Sequence, residues 1–587
     1  MTTRSLQRIL RSLFVIAALL VFTASWISPV DAGKFFKPPA TYEPGSWYVG
    51  ATPDNLYPNA PVILFVQGLN STAQTWWDNN DMYELAYQNG YQTAFVQLYD
   101  AGGTARSMWD NGRLLANTIR EMYATFRKPF VIVAHSKGGI DTDAALIHYG
   151  AYPYVKKVIT LGSPHDGAEL ADLAYSSWAG WLADILGAKS DGTYVLQTGY
   201  MQYFRQLTDT HPNAGKTPIV TLAGTKWGSF GSSYYWGGLY LSQFGTNDGV
   251  VTVNRAYHPN APMIAVGGWN HDTIRKGSST FNIIRQHIPL LTASAQTVTV
   301  ASVAPPSSLT SSTLTSLASS SSLASPSLPS QLSSLSSSPV SYLSSETINR
   351  LSSSFSTSGT QVISTRLSAQ TLRPQAVLNG SVYVRGGDAQ KKVIETFAVE
   401  PSVQSLSLSW LNQGGVKSFT LRDPQGKVQY VQVSCEIDQE WFQGASVTQA
   451  AVSHPKPGMW TLEIEQSYAS PYLLLAQFAS PLNDKFQAKQ GIRKWFVTLP
   501  DAAKSSIHGA PIWHMAALKY TLEQHTVKKI DRFDLSGIAD GTLLELPVPQ
   551  GLKEDSSKAL INYTVDIQGY DEGGFPYNRT LIWSSMP

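Results

Sequence analysis

A chain of 587 residues, at about 150 residues per domain, is too long for one compact fold and leads to an expectation of several domains. Lysine and arginine number 43 against 41 aspartate and glutamate, so no chain-wide charge favours nucleic acid or an acidic polymer. Charged residues at 14% and aromatics at 11% describe large aromatic cores under an uncharged polar surface, which excludes a chain disordered throughout.

At the N-terminus Arg4, Arg8 and Arg11 precede the mostly apolar run Leu13 to Ile27, then Ser28-Pro29 and the small-residue site Val30-Asp31-Ala32. That is the layout of a cleaved secretory signal over 1–32, since about 15 apolar residues fall short of the roughly 20 a spanning helix needs. The mature protein is therefore expected to be secreted or at the cell surface.

From 33 to 292, short apolar runs alternate with helical patterns. The runs begin at Val62, Thr93, Phe130, Lys157, Pro218 and Met263, and segments such as Asn111 to Phe126 and Gly139 to Tyr149 show helical spacing between them. Continuous apolar runs fit strands buried on both faces, so this part reads as a mostly parallel sheet with helices on both faces. Between Leu170 and Tyr240 the sequence is rich in aromatics, among them Tyr175, Trp178, Trp181, Tyr194 and Trp236. This stretch reads as an insertion over the site, and Leu170 to Leu186 reads either as one amphipathic lid helix or as an ordinary packed surface helix.

No charged residue occurs between Gln286 and Ser345, and 17 of the 32 residues from Ser307 to Ser338 are serine. Such a stretch cannot bury enough apolar surface to offset its conformational entropy, so 293–346 is expected to be a disordered Ser/Pro-rich linker. Beyond it the period becomes two, as in Leu406 to Trp410, Val431 to Cys435, Trp460 to Ile464 and Tyr563 to Ile567, with turn signals at Asp423-Pro424-Gln425-Gly426 and Asp571 to Gly574. Two all-β, sandwich-like accessory domains are expected, 347–481 and 482–587. Trp410 and Trp460 are expected in the core. Cys435 is the single cysteine; it allows neither an intramolecular disulfide nor a cysteine zinc site, and it reads as a buried, inert residue.

The chemistry is carried before the linker. The strand Phe130 to Ala134 runs into His135-Ser136-Lys137-Gly138-Gly139 and then a helical segment, the order of a nucleophile elbow with Ser136 at its apex. The crowded turn needs small residues two before and two after the serine, here Ala134 and Gly138. Ala188-Lys189-Ser190-Asp191-Gly192 matches the same string, but no strand precedes Ser190. A serine nucleophile requires a histidine base and an acid to orient it, and downstream, each after a strand, lie Asp248 in Asn247-Asp248-Gly249 and His271 in Asn270-His271-Asp272. Asp272 is the local rival for the acid. Backbone donors for an oxyanion are expected from Lys137 and from Leu69 in Gln67-Gly68-Leu69-Asn70.

Together, Ala134 to Gly139, Gly162-Ser163-Pro164-His165-Asp166-Gly167 after the next strand, Asn247 to Val251 and Asn270-His271 resemble secreted bacterial lipases of the α/β-hydrolase fold, over roughly 61–287. The resemblance implies a carboxylic ester hydrolase acting on lipid esters, with Ser136, Asp248 and His271 as its triad. Such lipases usually carry His-Gly where this chain has Gln67-Gly68. Many bind a structural calcium near the histidine, but no ligand set matches here residue by residue, so no metal and no required cofactor are assigned. The expected partner is a lipid or other hydrophobic ester, and the accessory domains are read as contacts to a cell surface or polymer, or as spacers. The same triad also serves polyester depolymerases, thioesterases, acyltransferases and amidases. A surface-adhesion protein with a vestigial hydrolase is the reading from another class.

Overall fold

The computed structural model describes residues 34–39, 41–291, 378–438, 441–490, 494–500, 510–539, 541–547 and 559–586. The expected leader, the linker and residues 347–377 of the expected first accessory domain lie outside them. Among the described residues no helix is long and apolar enough to cross a membrane.

The first sheet is built from β1 (Trp47–Val49), β2 (Val62–Val66), β3 (Thr93–Val96), β4 (Phe130–His135), β5 (Val155–Leu161), β6 (Ile219–Gly224) and β7 (Met263–Gly267), in the order β1-β3-β2-β4-β5-β6-β7. All neighbours are parallel except β1, which runs antiparallel to β3. Side chains alternate between two cores. Ile63, Phe65, Val131, Val133, Ile159 and Leu161 pack on one face with α1 (Met82–Gln88) and the last helix of this half, Gly277–Gln286. Val62, Leu64, Val66, Ile132, Ala134 and Val158 pack on the other with α2 (Met108–Phe126) and α3 (Lys137–Ile147). Burial on both faces is why these strands lack a polar alternation.

The region expected to hold one amphipathic helix contains two short ones, α4 (Glu169–Ala174) and α5 (Gly180–Ile185), followed by α6 (Asp191–Val195), α7 (Thr198–Asp209) and α8 (Ser233–Leu241); Gly277–Gln286 is α9. Leu170, Leu173 and Leu182 are buried, whereas Trp181 and Ile185 are 51% and 52% exposed.

The C-terminal strands are antiparallel. The strands β9 (Val382–Val399), β10 (Ser405–Asn412), β11 (Val416–Arg422), β12 (Val428–Gln429), β13 (Val433–Ile437), β14 (Ser446–Ser453) and β15 (Gly458–Ala479) form one seven-stranded sheet. Its core holds Trp410, stacked on Tyr472 at 4.4 Å, and Trp460. Cys435 is exposed, contrary to expectation, because β13 is an edge strand of this sheet. Two four-stranded sheets follow. One joins β8 (Leu378–Asn379), β16 (Gln487–Gln490), β17 (Lys494–Thr498) and β20 (Leu543–Pro547); the other joins β18 (Ile512–Glu523), β19 (Thr526–Ile538), β21 (Leu560–Tyr570) and β22 (Pro576–Ser585). Phe486, Trp495, Met515, Tyr563 and Trp583 fill the core between them.

The α/β half and the β half share one core. Leu170, Leu173, Tyr175, Tyr194, Trp236 and Tyr240 cluster with Val384, Leu411, Phe442, Leu473, Tyr520 and Ile582. Polar anchors cross the same seam. The Trp178 indole donates to Asp566 Oδ2 at 2.9 Å, the Asn562 side chain donates to the Asp172 carbonyl at 2.8 Å, and His525 Nδ1 lies 2.9 Å from Asp191 Oδ2. Buried Asp172 accepts from the Thr198 N–H at 3.1 Å, the Thr198 hydroxyl at 2.7 Å and the Ser584 hydroxyl at 2.6 Å.

Burial pushes the Asp172 carboxyl up to about 7, against the lowering influence of the Ser584 and Thr198 hydrogen bonds. A carboxyl raised above its ordinary value lends stability that is full below the usual carboxylate range and is lost as pH rises through its folded value. The Asp172→Asn variant should therefore gain in unfolding temperature relative to the parent as pH rises from about 4 to about 7. A pH-independent difference between the two melting curves would contradict this assignment.

Candidate active site

Ser136 sits between β4 and α3 with φ 54° and ψ −133°. This is a sparsely populated conformation for a residue with a side chain, typically costing about 1–3 kcal/mol. The turn is held from both sides: the Ser136 N–H donates to the Leu161 carbonyl at 3.0 Å, and the Gly139 N–H donates to the Ser136 carbonyl at 3.1 Å. Glycine is required at 138, since a Cβ there would stand 2.3 Å from the Gln67 carbonyl oxygen.

Asp248 and His271 meet in the structure. His271 Nδ1 lies 2.8 Å from Asp248 Oδ2, and both residues are buried. The other carboxylate oxygen accepts from the N–H groups of Val250 at 2.9 Å and Val251 at 2.7 Å. With both oxygens occupied, the carboxylate has one orientation, and the His271 N–H adds a bond to the Asp248 carbonyl at 3.0 Å. The local rival Asp272 faces elsewhere, pairing with Arg275 at 2.5 Å and Lys276 at 2.9 Å. Those pairings also leave the carboxylate beside His271 neutralised by the chain's own cations, a poor fit to a calcium cage.

Ser136 and His271 line one cleft with Gly68, Leu69, Asn70, Leu196, Tyr234 and Val250. Leu69 thus borders Ser136, and Lys137 opens the eleven-residue helix α3 directly after it. A helix N-terminus favours developing negative charge. The Gln67 side-chain amide, in the orientation that satisfies both partners, donates to the Val96 carbonyl at 2.8 Å and accepts from the Leu98 N–H at 2.7 Å, which ties the loop to β3. Ser190, the rival serine, instead caps α6 by accepting from the Thr193 N–H at 3.2 Å. Trp441 and Gln443, from the β half, line the same cleft.

Sequence reading did not identify the support beneath the elbow. The Lys137 side chain is fully buried, 3.0 Å from Asp141 and 3.3 Å from Asp100, and Asn111 bridges Asp100 and Asp141. Burial works against the ammonium, yet the two carboxylates outweigh it and raise its pKa. Asp141 is pushed up to about 7, foremost by burial. The i,i+4 spacing of Lys137 and Asp141 on a helix was the available signal.

A second buried cluster joins Asp143, His165 and His258, whose ligand atoms lie within 4.8 Å of one another. Arg205 stands 2.9 Å from Asp143 Oδ2 and 3.0 Å from His258 Nε2. Burial alone would raise the Asp143 carboxyl, but His258 and Arg205 carry it well below the usual range. The guanidinium already supplies the positive charge a metal would bring.

No family model and no curated protein matches the chain. Among solved structures, it is similar to the Bacillus licheniformis lipase BlEst2 in its propeptide form, at 31% identity over 92% of this chain and 97% of that one, with a TM-score of 0.67. The mature form of BlEst2 is 50% identical over 42% of this chain and 100% of that one, with a TM-score of 0.40. An esterase, RhEst1, from Rhodococcus sp. ECU1013 is 15% identical over 41% of this chain and 94% of its own, with a TM-score of 0.26.

Replacing Lys137 by Met should leave two buried carboxylates without their cation and lower stability by about 3–5 kcal/mol. Denaturant unfolding measures this, and an unchanged midpoint would show that the elbow does not depend on the buried ion pair.

Proposed function

The chain belongs to the bacterial lipase and esterase family of the α/β-hydrolase fold, serine hydrolases acting on esters, and from that premise we propose that it cleaves lipid esters, triacylglycerols foremost, through an acyl-enzyme on Ser136. The observation that carries this reading is the buried Asp248–His271 pair at 2.8 Å, set in one cleft with a serine on a strained elbow. Ser136 Oγ attacks the ester carbonyl carbon while His271 Nε2 takes its proton, and Asp248 holds the ring through Nδ1. The N–H groups of Leu69 and Lys137 receive the oxyanion. Collapse expels the alcohol, protonated by His271, and water then repeats the sequence on the acyl-enzyme. Nucleophile, base and oxyanion donors all come from the chain, and the reading assigns no cofactor to the reaction. Leu69, Leu196, Val250 and Val251 give the cleft an apolar wall on which an acyl chain can lie, beside polar residues such as Asn70, Ser71 and Gln443.

The β half acts, in this reading, as a pro-region that covers the cleft. Its support is the loop before β14. Asp438 accepts from the Trp236 indole at 3.1 Å and from the Phe442 N–H at 2.6 Å, Phe442 packs on Trp236 at 5.8 Å, and Trp441 and Gln443 face the cleft. BlEst2 in its propeptide form is similar over 92% of this chain, both halves included. Export through the N-terminal leader and cutting within 293–346 complete the proposal.

Ser136→Ala should lower kcat on p-nitrophenyl esters by about 10⁶-fold and Asp248→Asn by about 10⁴-fold. Retained activity in the first variant would overturn the mechanism. Proteolysis confined to 293–346, followed by removal of the β half, should raise kcat/KM on p-nitrophenyl palmitate. Unchanged or lower values in the separated catalytic half would count against the pro-region.

A further inference from the structure

We infer that His135, the residue before the nucleophile, is a positioning residue that fixes the catalytic histidine against the oxyanion loop. The inference rests on the triad reading above. His135 ends β4, so strand alternation turns its side chain to the opposite face from Ala134. There it is buried, and its Nε2–H donates to the His271 carbonyl at 2.8 Å. The two imidazoles lie 4.6 Å apart, centre to centre, at 49°.

The main chain of His271 is thereby gripped at both ends, its N–H by the Asp248 carbonyl at 3.0 Å and its C=O by His135. Its ring is gripped a third time, at Nδ1, by the Asp248 carboxylate. The same imidazole closes against the oxyanion loop: a Cβ on Gly68 would stand 3.4 Å from His135 Nδ1 and 2.8 Å from Ser136 Cβ. One side chain therefore spaces base and oxyanion loop, while its own backbone carries the nucleophile.

A positioning imidazole must not compete for the proton that His271 shuttles. Burial first, then the neighbouring His271 and Arg275, hold the His135 pKa well below the ordinary histidine range. His135 stays neutral with its proton on Nε2, and the hydrogen bond to His271 persists through the cycle. An apolar residue of similar volume would fill the space and leave the His271 carbonyl without this donor.

The test compares His135→Leu, which fills the site, with His135→Gln, whose amide retains an N–H donor, and with Ser136→Ala, all in the full chain. Steady-state kinetics on p-nitrophenyl butyrate are read beside the downfield Nδ1–H proton resonance of His271. The Leu variant should lose about 10²-fold in kcat, with KM nearly constant, and lose the resonance. The Gln variant should recover most of both. Wild-type kcat in the Leu variant would overturn the inference, as would a folded Gln variant no better than Leu, provided that Ser136→Ala is inactive. Should Ser136→Ala remain active, the triad reading itself fails, a different result. If the Leu variant does not fold, the Gln variant alone decides: near-parental kcat with the resonance retained supports the donor, and loss of both with an unchanged melting curve overturns it.

Discussion

Ser136 holds a positive φ, and much of the catalytic half can be read as the means of keeping it there. The strain of an L residue in that region must be offset by contacts that cannot relax. Here they come from three directions: the β5 carbonyl of Leu161 below, the Gln67 carbonyl packed against Gly138 in front, and the buried Lys137 clamped between Asp100 and Asp141 behind. Because the loop of Gln67, Gly68 and Leu69 is itself one of those contacts, Ser136 and that loop are aligned by the same packing. A preorganised site of this sort costs little reorganisation at the moment of reaction.

A second constraint is the seam between the halves. The helices after β5 give their apolar sides to a core completed by the β half, and some of the same elements line the cleft, as with Leu196, Tyr234 and Val250. Covering the seam and covering the cleft are thus one act of packing. Packed against each other, the two halves keep a broad apolar surface away from water. The polar anchors, Trp178 on Asp566 and Trp236 on Asp438, fix the register of the two halves.

The strand-turn-helix order around Ser136, the position of His271 just after β7, and the parallel sheet were legible because each leaves a local pattern: an apolar run, a turn token, a small residue at a fixed offset; Asp248 instead follows α8, not a strand directly. Trp410 and Trp460 were legible as core residues from period-two alternation. β1 escaped notice because three residues, Trp47 to Val49, carry no period. The helix expected over Leu170 to Leu186 is broken between Ala174 and Gly180, where Ser177 and Trp178 turn toward the β half and its partners Thr564 and Asp566. Cys435 misled because an edge strand lacks the neighbour that would bury it. The Trp441 loop over the cleft left no sequence signal at all: it joins residues some 300 positions apart, and long-range packing of that kind has no period or motif.

The most direct measurement is mass-spectrometric mapping of a serine-directed alkyl phosphonate on the full chain and on the chain cut within 293–346. One adduct is expected, on the peptide bearing Ser136, formed faster once the β half is released. An adduct on another serine, or equal labelling of a Ser136→Ala chain, would contradict it.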